Sequence, residues 1–280
     1  MHKYQKRKNN LIKNIIKYIN SDIKLKASFN HPNRKYKLDI LLKCTIDILN
    51  TGLSFRKIQE ISKNKIHWNT IYKFFIKLQK TNIISLTYRE TVKKYTNKYL
   101  NKSENIFITD TSLIINKLGI DNIGYNPQLP KHKCSKISII SDINGIPLEA
   151  NIYNGSTYDS KILDIQLDEF IKNNNNLLTN DNLFLGDAGY DSNKLKNKVI
   201  NNKIGILLTA KNKRNIKDKL EALKLTSSEK LLLKKRIKIE HTNAHLKQYK
   251  RLSIRYDKYS NNYSVFLHLA CIDIILKRIS

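Results

Sequence analysis

The segment KISIISDINGIPLEANIY, residues 136–153, decides the fold expected for this chain. It contains two β-rich runs, residues 136–142 and 146–153, on either side of Asn144–Gly145. An Asn-Gly pair between two such runs is the strongest short signal for a β-hairpin, because its turn requires positive φ angles. The segment therefore predicts two antiparallel strands joined by a tight turn.

Further strand and helix patterns lie on both sides of this hairpin. Upstream, residues 106–112 form another β-rich run. Downstream, the predicted elements are a helix at 160–172, a strand at 183–187, a helix at 192–201, a strand at 205–209 and a long basic helix at 227–249. Three strands followed by alternating helices and strands predict an α/β, RNase H-like domain, with a mixed five-stranded sheet flanked by helices.

The first hundred residues have a helical pattern instead. Apolar residues from Leu38 to Leu49 recur on one helix face, which stops at Thr51–Gly52, a C-cap signal. Ser54 is placed to cap a second helix, and Asn69 or Thr70 to begin a third. Short helices with tight turns suit a helix-turn-helix module, although many small helical domains share the pattern.

These patterns divide the chain into two predicted domains. Residues 1–100 are expected to form a helical, helix-turn-helix-like DNA-binding region, and residues 104–280 the RNase H-like catalytic domain. The apolar segment 265–275 predicts a final helix that belongs to the core or to a dimer contact.

The charge balance points to a polyanionic partner. Lys and Arg total 52 against 23 Asp and Glu, for a formal net charge of +29. Cations that neutralise phosphates release condensed counterions, which favours nucleic-acid binding. AT-rich coding DNA also enriches Lys, Asn, Ile and Tyr without selection for binding. Asp and Glu are also encoded by AT-rich codons, yet they are not enriched to the same degree as Lys. Nucleic-acid binding and AT-rich coding DNA therefore both remain as explanations of the charge.

The composition also limits where the protein is expected to work. There is no apolar run of the roughly 18 residues that a membrane helix needs, and MHKYQKRKNN at the start lacks the apolar stretch of a signal peptide. Its basic residues predict a solvated end. Three cysteines far apart predict buried thiols in a reducing compartment. We expect a soluble, intracellular, DNA-associated protein, in a bacterial cytoplasm or nucleoid, a nucleus or a viral factory.

Three acidic residues are the candidate reactive groups. Asp110 and Asp187 end the first and fourth predicted strands, and the ends of strands in an open α/β sheet meet at one crevice. Glu240 lies in the long helix. Packed together, three carboxylates repel one another unless cations separate them. Taken singly, Asp110 could instead cap a turn, Asp187 could belong to a Gly-Asp turn and Glu240 could be a solvated helix residue.

The sequence around Glu240 resembles a known family. Arg236, three residues, Glu240, six residues and Lys247 follow the Tyr-Arg-Glu-Lys signature of insertion-sequence DDE transposases, families four and five. Leu233 stands where that signature has tyrosine. His241 and His245 lack the His-Glu-x-x-His order of a zinc protease, so their spacing does not predict a zinc site.

Other blocks are similar to the same family in the same order. GDAGYDS at 186–192 resembles the block around its second aspartate, and DTS at 110–112 the block at its first. GSTYDS at 155–160 resembles the segment before its first helix, with Tyr158 where histidine is usual. The basic stretch after Glu240 also matches, so the resemblance covers roughly residues 104 to 278.

The resemblance implies an enzyme of a mobile element, a Mg²⁺-dependent endonuclease and strand transferase. It implies that Asp110, Asp187 and Glu240 hold two Mg²⁺ ions, with Mn²⁺ as a substitute. The implied partners are double-stranded DNA, as terminal inverted repeats and as target, and a second copy of the chain in a homodimer on DNA. The residues expected to contact DNA are Arg236, Lys247, Lys250, Arg251, Lys133 and Lys136.

Alternatives remain for function and for individual acids. A catalytically inactive or domesticated transposase-derived protein would keep the charge and the fold, and a basic RNA-binding or ribosome-associated protein would keep the charge. Asp142 is interpreted as a turn residue and Asp159 as a helix N-cap.

Overall fold

A computed structural model describes residues 2–32, 34–62, 66–100, 104–212 and 225–279. Its helices are α1 (His2–Ser21), α2 (Ile23–Phe29), α3 (Leu38–Thr51), α4 (Phe55–Ile61), α5 (Trp68–Lys80), α6 (Ile83–Tyr99), α7 (Asp159–Asn174), α8 (Asn193–Asn201), α9 (Ser227–Lys234), α10 (Ile237–Gln248), α11 (Lys250–Ser253) and α12 (Ser260–Ile279). Its strands are β1 (Ile106–Asn116), β2 (Gly124–Tyr125), β3 (Lys133–Asp142), β4 (Pro147–Asn154), β5 (Leu183–Gly186), β6 (Ile206–Thr209) and β7 (Ile254–Arg255).

The chain forms two compact units. The first comprises Met1–Val92, Lys117–Gly119 and Leu246–Ser280, and the second comprises Lys93–Asn116 and Ile120–His245. The C-terminal helix α12 belongs to the first unit, where Phe266 stacks on Phe75 of α5 at 4.8 Å between ring centroids. The domain boundary near residue 100 remains a prediction, because the compact units follow contacts rather than position along the chain.

The second unit contains a mixed sheet in the order β4-β3-β1-β5-β6. Strand β3 is antiparallel to both β4 and β1, whereas β5 is parallel to β1 and to β6. The two-residue β2 pairs with the first residues of β3. Helices flank this sheet, so the predicted α/β, RNase H-like arrangement with five principal strands is confirmed.

The hairpin turn of β3 and β4 forms at Asn144–Gly145, as predicted. Asp142 is its turn residue, because its Oδ1 accepts hydrogen bonds from the backbone N–H groups of Asn144 (3.0 Å) and Ile146 (2.8 Å). Gly145 has φ +80°, a conformation that side chains disfavour. The turn role predicted for Asp142 is therefore confirmed.

Helix α7 covers one face of the sheet. Phe170 of α7 lies 5.2 Å from Phe107 of β1 and 6.1 Å from Phe184 of β5, between ring centroids. All three rings are buried and form the centre of this core. The N-cap of α7 is Tyr158, and Asp159 is its first residue, so the interpretation of Asp159 as the N-cap was wrong.

The single long helix predicted over 227–249 is wrong: the structure has α9 and α10 with a turn between them. The backbone N–H groups of Lys235 and Arg236 donate to carbonyls three residues back, at Leu232 and Leu233. Such tighter bonds end an α-helix. Arg236 therefore precedes α10, and Glu240 lies in the first turn of α10.

The first unit confirms the predicted caps. Gly52 ends α3 with φ +71° and donates its N–H to the Ile48 carbonyl at 2.9 Å. The Ser54 hydroxyl accepts from Lys57 N–H at the start of α4. Helix α5 begins at Trp68, one residue before the predicted Asn69.

The basic N-terminal segment is solvated at Lys6, as predicted, but not at Arg7 and Lys8. Lys8 is 5% exposed and forms an ion pair with Asp47 of α3. Arg7 forms an ion pair with Asp273 of α12. These acids lie far along the chain, and only the packing of α1 against α3 and α12 brings them to the basic residues.

Two further expectations concern cysteines and membranes. All three cysteines are buried thiols that form no disulfide, as predicted. Among the described helices, none combines the length and the apolar content that crossing a bilayer requires.

Candidate active site

Asp110 and Asp187 lie just beyond the point where the parallel pairing of β1 and β5 ends. In the β1–β5 pair, Ile108 is opposite Leu185, and β5 ends at the next residue, Gly186. Continuing this register by two residues brings Asp110 opposite Asp187. Both residues line one cleft of the second unit, so the convergence predicted for these two aspartates is confirmed.

Strand β1 is longer than the sequence predicted. It continues to Asn116, so Asp110 lies in the middle of the strand rather than at its end. Its pairing with β5 stops before Asp110, whereas its antiparallel pairing with β3 goes on. The cleft therefore opens where β1 loses its parallel neighbour.

The carboxyl group of Asp110 is held in a low-polarity environment beside another acid. Burial raises the pKa of Asp110 to about 6; the positive charge of Arg236 opposes this shift and the negative charge of Asp187 adds to it. The Asn243 amide donates a hydrogen bond of 2.7 Å to Asp110 Oδ2, which favours the ionised form. Asp110 therefore has a neutral donor in contact with its carboxylate.

Asp187 begins the tight turn after β5. Its Oδ1 accepts a 2.7 Å hydrogen bond from the backbone N–H of Gly189, and its side chain remains 42% exposed. An Arg236 guanidinium nitrogen lies 4.0 Å from Asp187 Oδ2, at the limit of an ion pair. The carboxylate thus faces the open cleft with much of its hydration intact.

Helix α10 brings Glu240 to the side of the sheet where Asp110 lies. Asn243, one turn after Glu240, contacts Asp110, and Arg236, four residues before it, approaches Asp187. Glu240 and Asn243 share a helix face at this spacing, whereas Arg236 lies in the turn before α10. Glu240 is exposed on that face.

The hairpin turn fixes the position of α10. The Thr242 hydroxyl donates a 2.5 Å hydrogen bond to the Gly145 carbonyl. A methyl group on Gly145 would lie 2.7 Å from the Thr242 Oγ1 and 2.8 Å from the Lys238 carbonyl oxygen. Only glycine permits this approach, so the Asn-Gly turn also positions the helix that carries Glu240.

Two more aspartates line the cleft, and each has a lysine partner. Asp159 Oδ1 accepts from Lys136 Nζ at 2.7 Å and from the Thr111 hydroxyl at 2.8 Å. Asp191 forms a 2.5 Å ion pair with Lys196. Burial raises the pKa of Asp191, but the hydrogen bonds from Lys196 and the Asn212 backbone, with the charges of Lys196 and Lys211, together lower it on balance.

The donor set fits a divalent cation at Asp110 and Asp187. Both supply carboxylate oxygens, the ligands that Mg²⁺ prefers, and a shared cation removes the repulsion between them. Within the described ranges, no three His, Cys, Asp or Glu side chains lie close enough together to form a ready metal site. Asp110 and Asp187 line the cleft together, whereas Glu240 is not among the residues that line it.

A family model described as a transposase DDE domain matches residues 103–272. That span is more than half of the 280 residues. The chain belongs to the transposase DDE domain family. The match covers every strand of the sheet described above and all three candidate acids of this DDE domain.

Known structures resembling this DDE-domain chain are distant ones. The piggyBac transposase synaptic complex with hairpin DNA has 14% identity and a TM-score of 0.48, over 95% of this chain and 70% of that one. The Mos1 transposase paired-end complex with left transposon end has 9% identity and a TM-score of 0.28, over 80% and 81%. At these identities and TM-scores, no residue role is transferred from these proteins to this chain. No curated protein sequence matches the chain.

The predicted DNA-contact residues of the DDE-domain chain fall into two groups. Lys133, Lys247 and Lys250 are exposed. Lys136 is 6% exposed and Arg251 7%, and each is paired with an aspartate, Arg251 with Asp257 at 2.8 Å. The DNA-contact role of these two residues stays a prediction, and it would require a phosphate to displace a buried partner.

Three residues of the cleft were missed or misinterpreted from the sequence. Asn243 was not singled out, although its position one turn after Glu240 on the same helix face was the available signal. Asp159 was interpreted as a cap and Lys136 as a DNA contact, whereas they form an ion pair. No local pattern identifies that pair, because its members lie on different elements.

Proposed function

We propose that this protein is a DNA transposase that cuts a phosphodiester at the ends of a mobile element and joins the freed strand to target DNA. One observation carries the proposal: Asp110 and Asp187 line one cleft where the β1–β5 pairing ends, and Asn243 of α10 and Arg236 of the turn before it approach them. Membership of the transposase DDE domain family supports it.

In this proposal Asp110, Asp187 and Glu240 hold two Mg²⁺ ions, with Mn²⁺ as a substitute. Ions bound there supply activation of the attacking oxygen and stabilisation of the leaving oxygen. Asn243 orients Asp110 toward the cleft, and Arg236 provides positive charge beside Asp187. The same site would serve water in the first cut and a DNA 3′-hydroxyl in the joining step.

The DNA contacts in this proposal come from exposed cations. Arg236 lies beside the site, and Lys133, Lys247 and Lys250 are exposed to solvent. The net charge of +29 supports attraction to a duplex backbone. Two transposon ends must be cut together, so we propose a homodimer on DNA, with terminal inverted repeats and target DNA as partners.

The test uses purified full-length protein and a supercoiled plasmid carrying the gene with its native flanking DNA. We expect nicks at defined positions beside the gene when Mg²⁺ or Mn²⁺ is present and none in EDTA. Asp110→Asn should abolish the nicks while retaining DNA binding in a gel-shift assay. Asp181→Asn, an exposed aspartate outside the cleft, is the matched control.

Two outcomes would overturn the proposal in different ways. Binding to DNA with no metal-dependent nick at any flanking position would favour a transposase-derived DNA-binding protein. Tighter binding to RNA than to duplex DNA at the same salt concentration would favour an RNA-binding protein. Flanking DNA without short inverted repeats would count against a mobile element.

A further inference from the structure

The four aspartates of the cleft differ in their partners. Asp159 and Asp191 each contact a lysine ammonium, at 2.7 Å and 2.5 Å. In the part of the chain that the structure describes, neutral groups donate the hydrogen bonds to these acids: the Asn243 amide and the Thr111 backbone to Asp110, and the Gly189 N–H to Asp187. Arg236 lies 4.0 Å from Asp187 Oδ2. The two acids without a contacting lysine are the two proposed metal ligands.

Lys136 is buried and is held against Asp159 by hydrogen bonds. Its side chain is 8% exposed, and its ammonium donates to Asp159 Oδ1 at 2.7 Å and to the Thr157 carbonyl at 2.8 Å. A buried ammonium is stable only with such partners. Thr111 of β1 donates to the same carboxylate oxygen, so Asp159 is held from two strands.

The other oxygen of Asp159 faces the proposed metal ligands. A methyl group placed on Gly189 would lie 2.9 Å from Asp187 Oδ1 and 3.5 Å from Asp159 Oδ2, so both carboxylates approach one point. Tyr190, fully buried beneath them, has its pKa raised by burial and also by the charges of Asp110, Asp159 and Asp187. Asp159 is therefore close enough to act electrostatically on the site.

We propose that Lys136 is a positioning residue that sets the metal affinity of the Asp110–Asp187 site by neutralising Asp159. This inference rests on the proposed metal site. Paired with Lys136, Asp159 adds little net charge to the cleft. Without Lys136, Asp159 becomes a further uncompensated carboxylate beside Asp187, and its negative charge attracts a divalent cation more strongly.

The experiment titrates Mn²⁺ into the purified full-length protein without DNA and follows free Mn²⁺ by electron paramagnetic resonance. It is done at mildly alkaline pH, where free carboxylates are ionised. Lys136→Met should bind Mn²⁺ about tenfold more tightly than the unaltered protein. Adding Asp159→Asn to that variant should return the affinity to the original value.

Asp159→Asn alone keeps the proposal testable if Lys136→Met fails to fold. It leaves Lys136 without a counter-charge beside the site, so Mn²⁺ binding should weaken about tenfold. Lys194→Met is the matched control, because Lys194 pairs with Asp164 outside the cleft and is 79% exposed. Circular dichroism and the Tm check that each variant is folded.

The opposite signs of the two effects separate this role from a structural one. If Lys136 only stabilises the fold, both variants should lower the Tm and leave the Mn²⁺ affinity unchanged, which would overturn the inference. If the unaltered protein shows no Mn²⁺ binding that Asp187→Asn removes, the proposed metal site itself fails. These results are distinguishable in one titration series.

Discussion

Asp257 of the first unit and Asp110 in the cleft of the second unit differ in the partners of their carboxylates. In the first unit, Asp257 is 4% exposed and pairs with Arg251, itself 8% exposed, at 2.8 Å. In the cleft, Asp110 is half-buried beside Asp187, and its contacting donor is the Asn243 amide. Asp257 takes a cation as its partner, because leaving this buried acid unpaired would cost several kcal/mol.

This difference suggests how a functional acid can be distinguished in a strongly basic protein. Among the four aspartates of the cleft, Asp110 and Asp187 are the two that contact no lysine in the described part of the chain. Such a group retains its capacity for an incoming cation, since no internal ammonium competes for its oxygens. Four expected results test this contrast between acids that are paired with a cation of the protein and acids that are open to an added cation.

The largest effect is expected from Asp187→Asn. Metal-dependent cleavage should fall by about a thousandfold, because an amide is a weak ligand for a divalent cation. Stability without metal should stay the same or rise, since repulsion with Asp110 disappears. Plasmid cleavage and urea unfolding measure the two quantities. A large loss of stability would mean that Asp187 is a structural acid, against the contrast drawn above.

Removal of the buried cation in the first unit should act on stability instead. Arg251→Met leaves Asp257 buried without its partner, so the free energy of unfolding should fall by about 3–5 kcal/mol. Lys250→Met, an exposed neighbour, should change it by less than about 0.5 kcal/mol. Urea unfolding compares the two. Equal, small effects would show that Arg251 is not needed by the fold and would restore it as a candidate DNA contact.

Gly145→Ala tests how the second unit positions α10 without an ion pair. The added methyl meets the Thr242 hydroxyl and the Lys238 carbonyl at a residue with positive φ, so stability should fall by about 1–3 kcal/mol. Adding Thr242→Ala removes one of the two clashes and should restore part of the loss. Full retention of stability in the single variant would mean that α10 moves freely against the hairpin.

The smallest effect concerns the neutral donor itself. Asn243→Asp places a second carboxylate against Asp110, so the metal-free protein should lose about 1 kcal/mol of stability. Mn²⁺ should raise the Tm of this variant by more than that of the unaltered protein, because the cation relieves the repulsion. Asn243→Ala, which only removes the hydrogen bond, is the control. An equal Mn²⁺ response in all three proteins would contradict a cation site at Asp110.

The sequence predicted those parts of the site that depend on local pattern. Asn144–Gly145 predicted the hairpin because few residue pairs adopt its turn. The β-rich runs and the helical patterns predicted the order of strands and helices along the chain. Asp187 ends one of these runs, and this position predicted that Asp187 lies at the cleft. The break between α9 and α10 was missed, because the basic pattern of residues 227–249 continues across Lys235 and Arg236 without a glycine or proline.

Partners distant in sequence were also missed. Lys136 and Arg251 belong to basic stretches and were predicted to contact DNA. In the structure both are buried, Lys136 in an ion pair with Asp159 and Arg251 in one with Asp257. Asn243 was overlooked because asparagine is common throughout this chain. The DNA-reading role of α3, α4 and α5 and the domain boundary near residue 100 stay predictions.

The sequence by itself determined the α/β order, the hairpin, the caps at Gly52 and Ser54, and the two aspartates at the strand edge. These features depend on backbone preferences and periodicity within short segments. The tertiary structure alone decided which charges are available, because an ion pair forms when packing brings two groups together and removes them from water. Whether an acid is paired or open to a cation is a property of its neighbours in space.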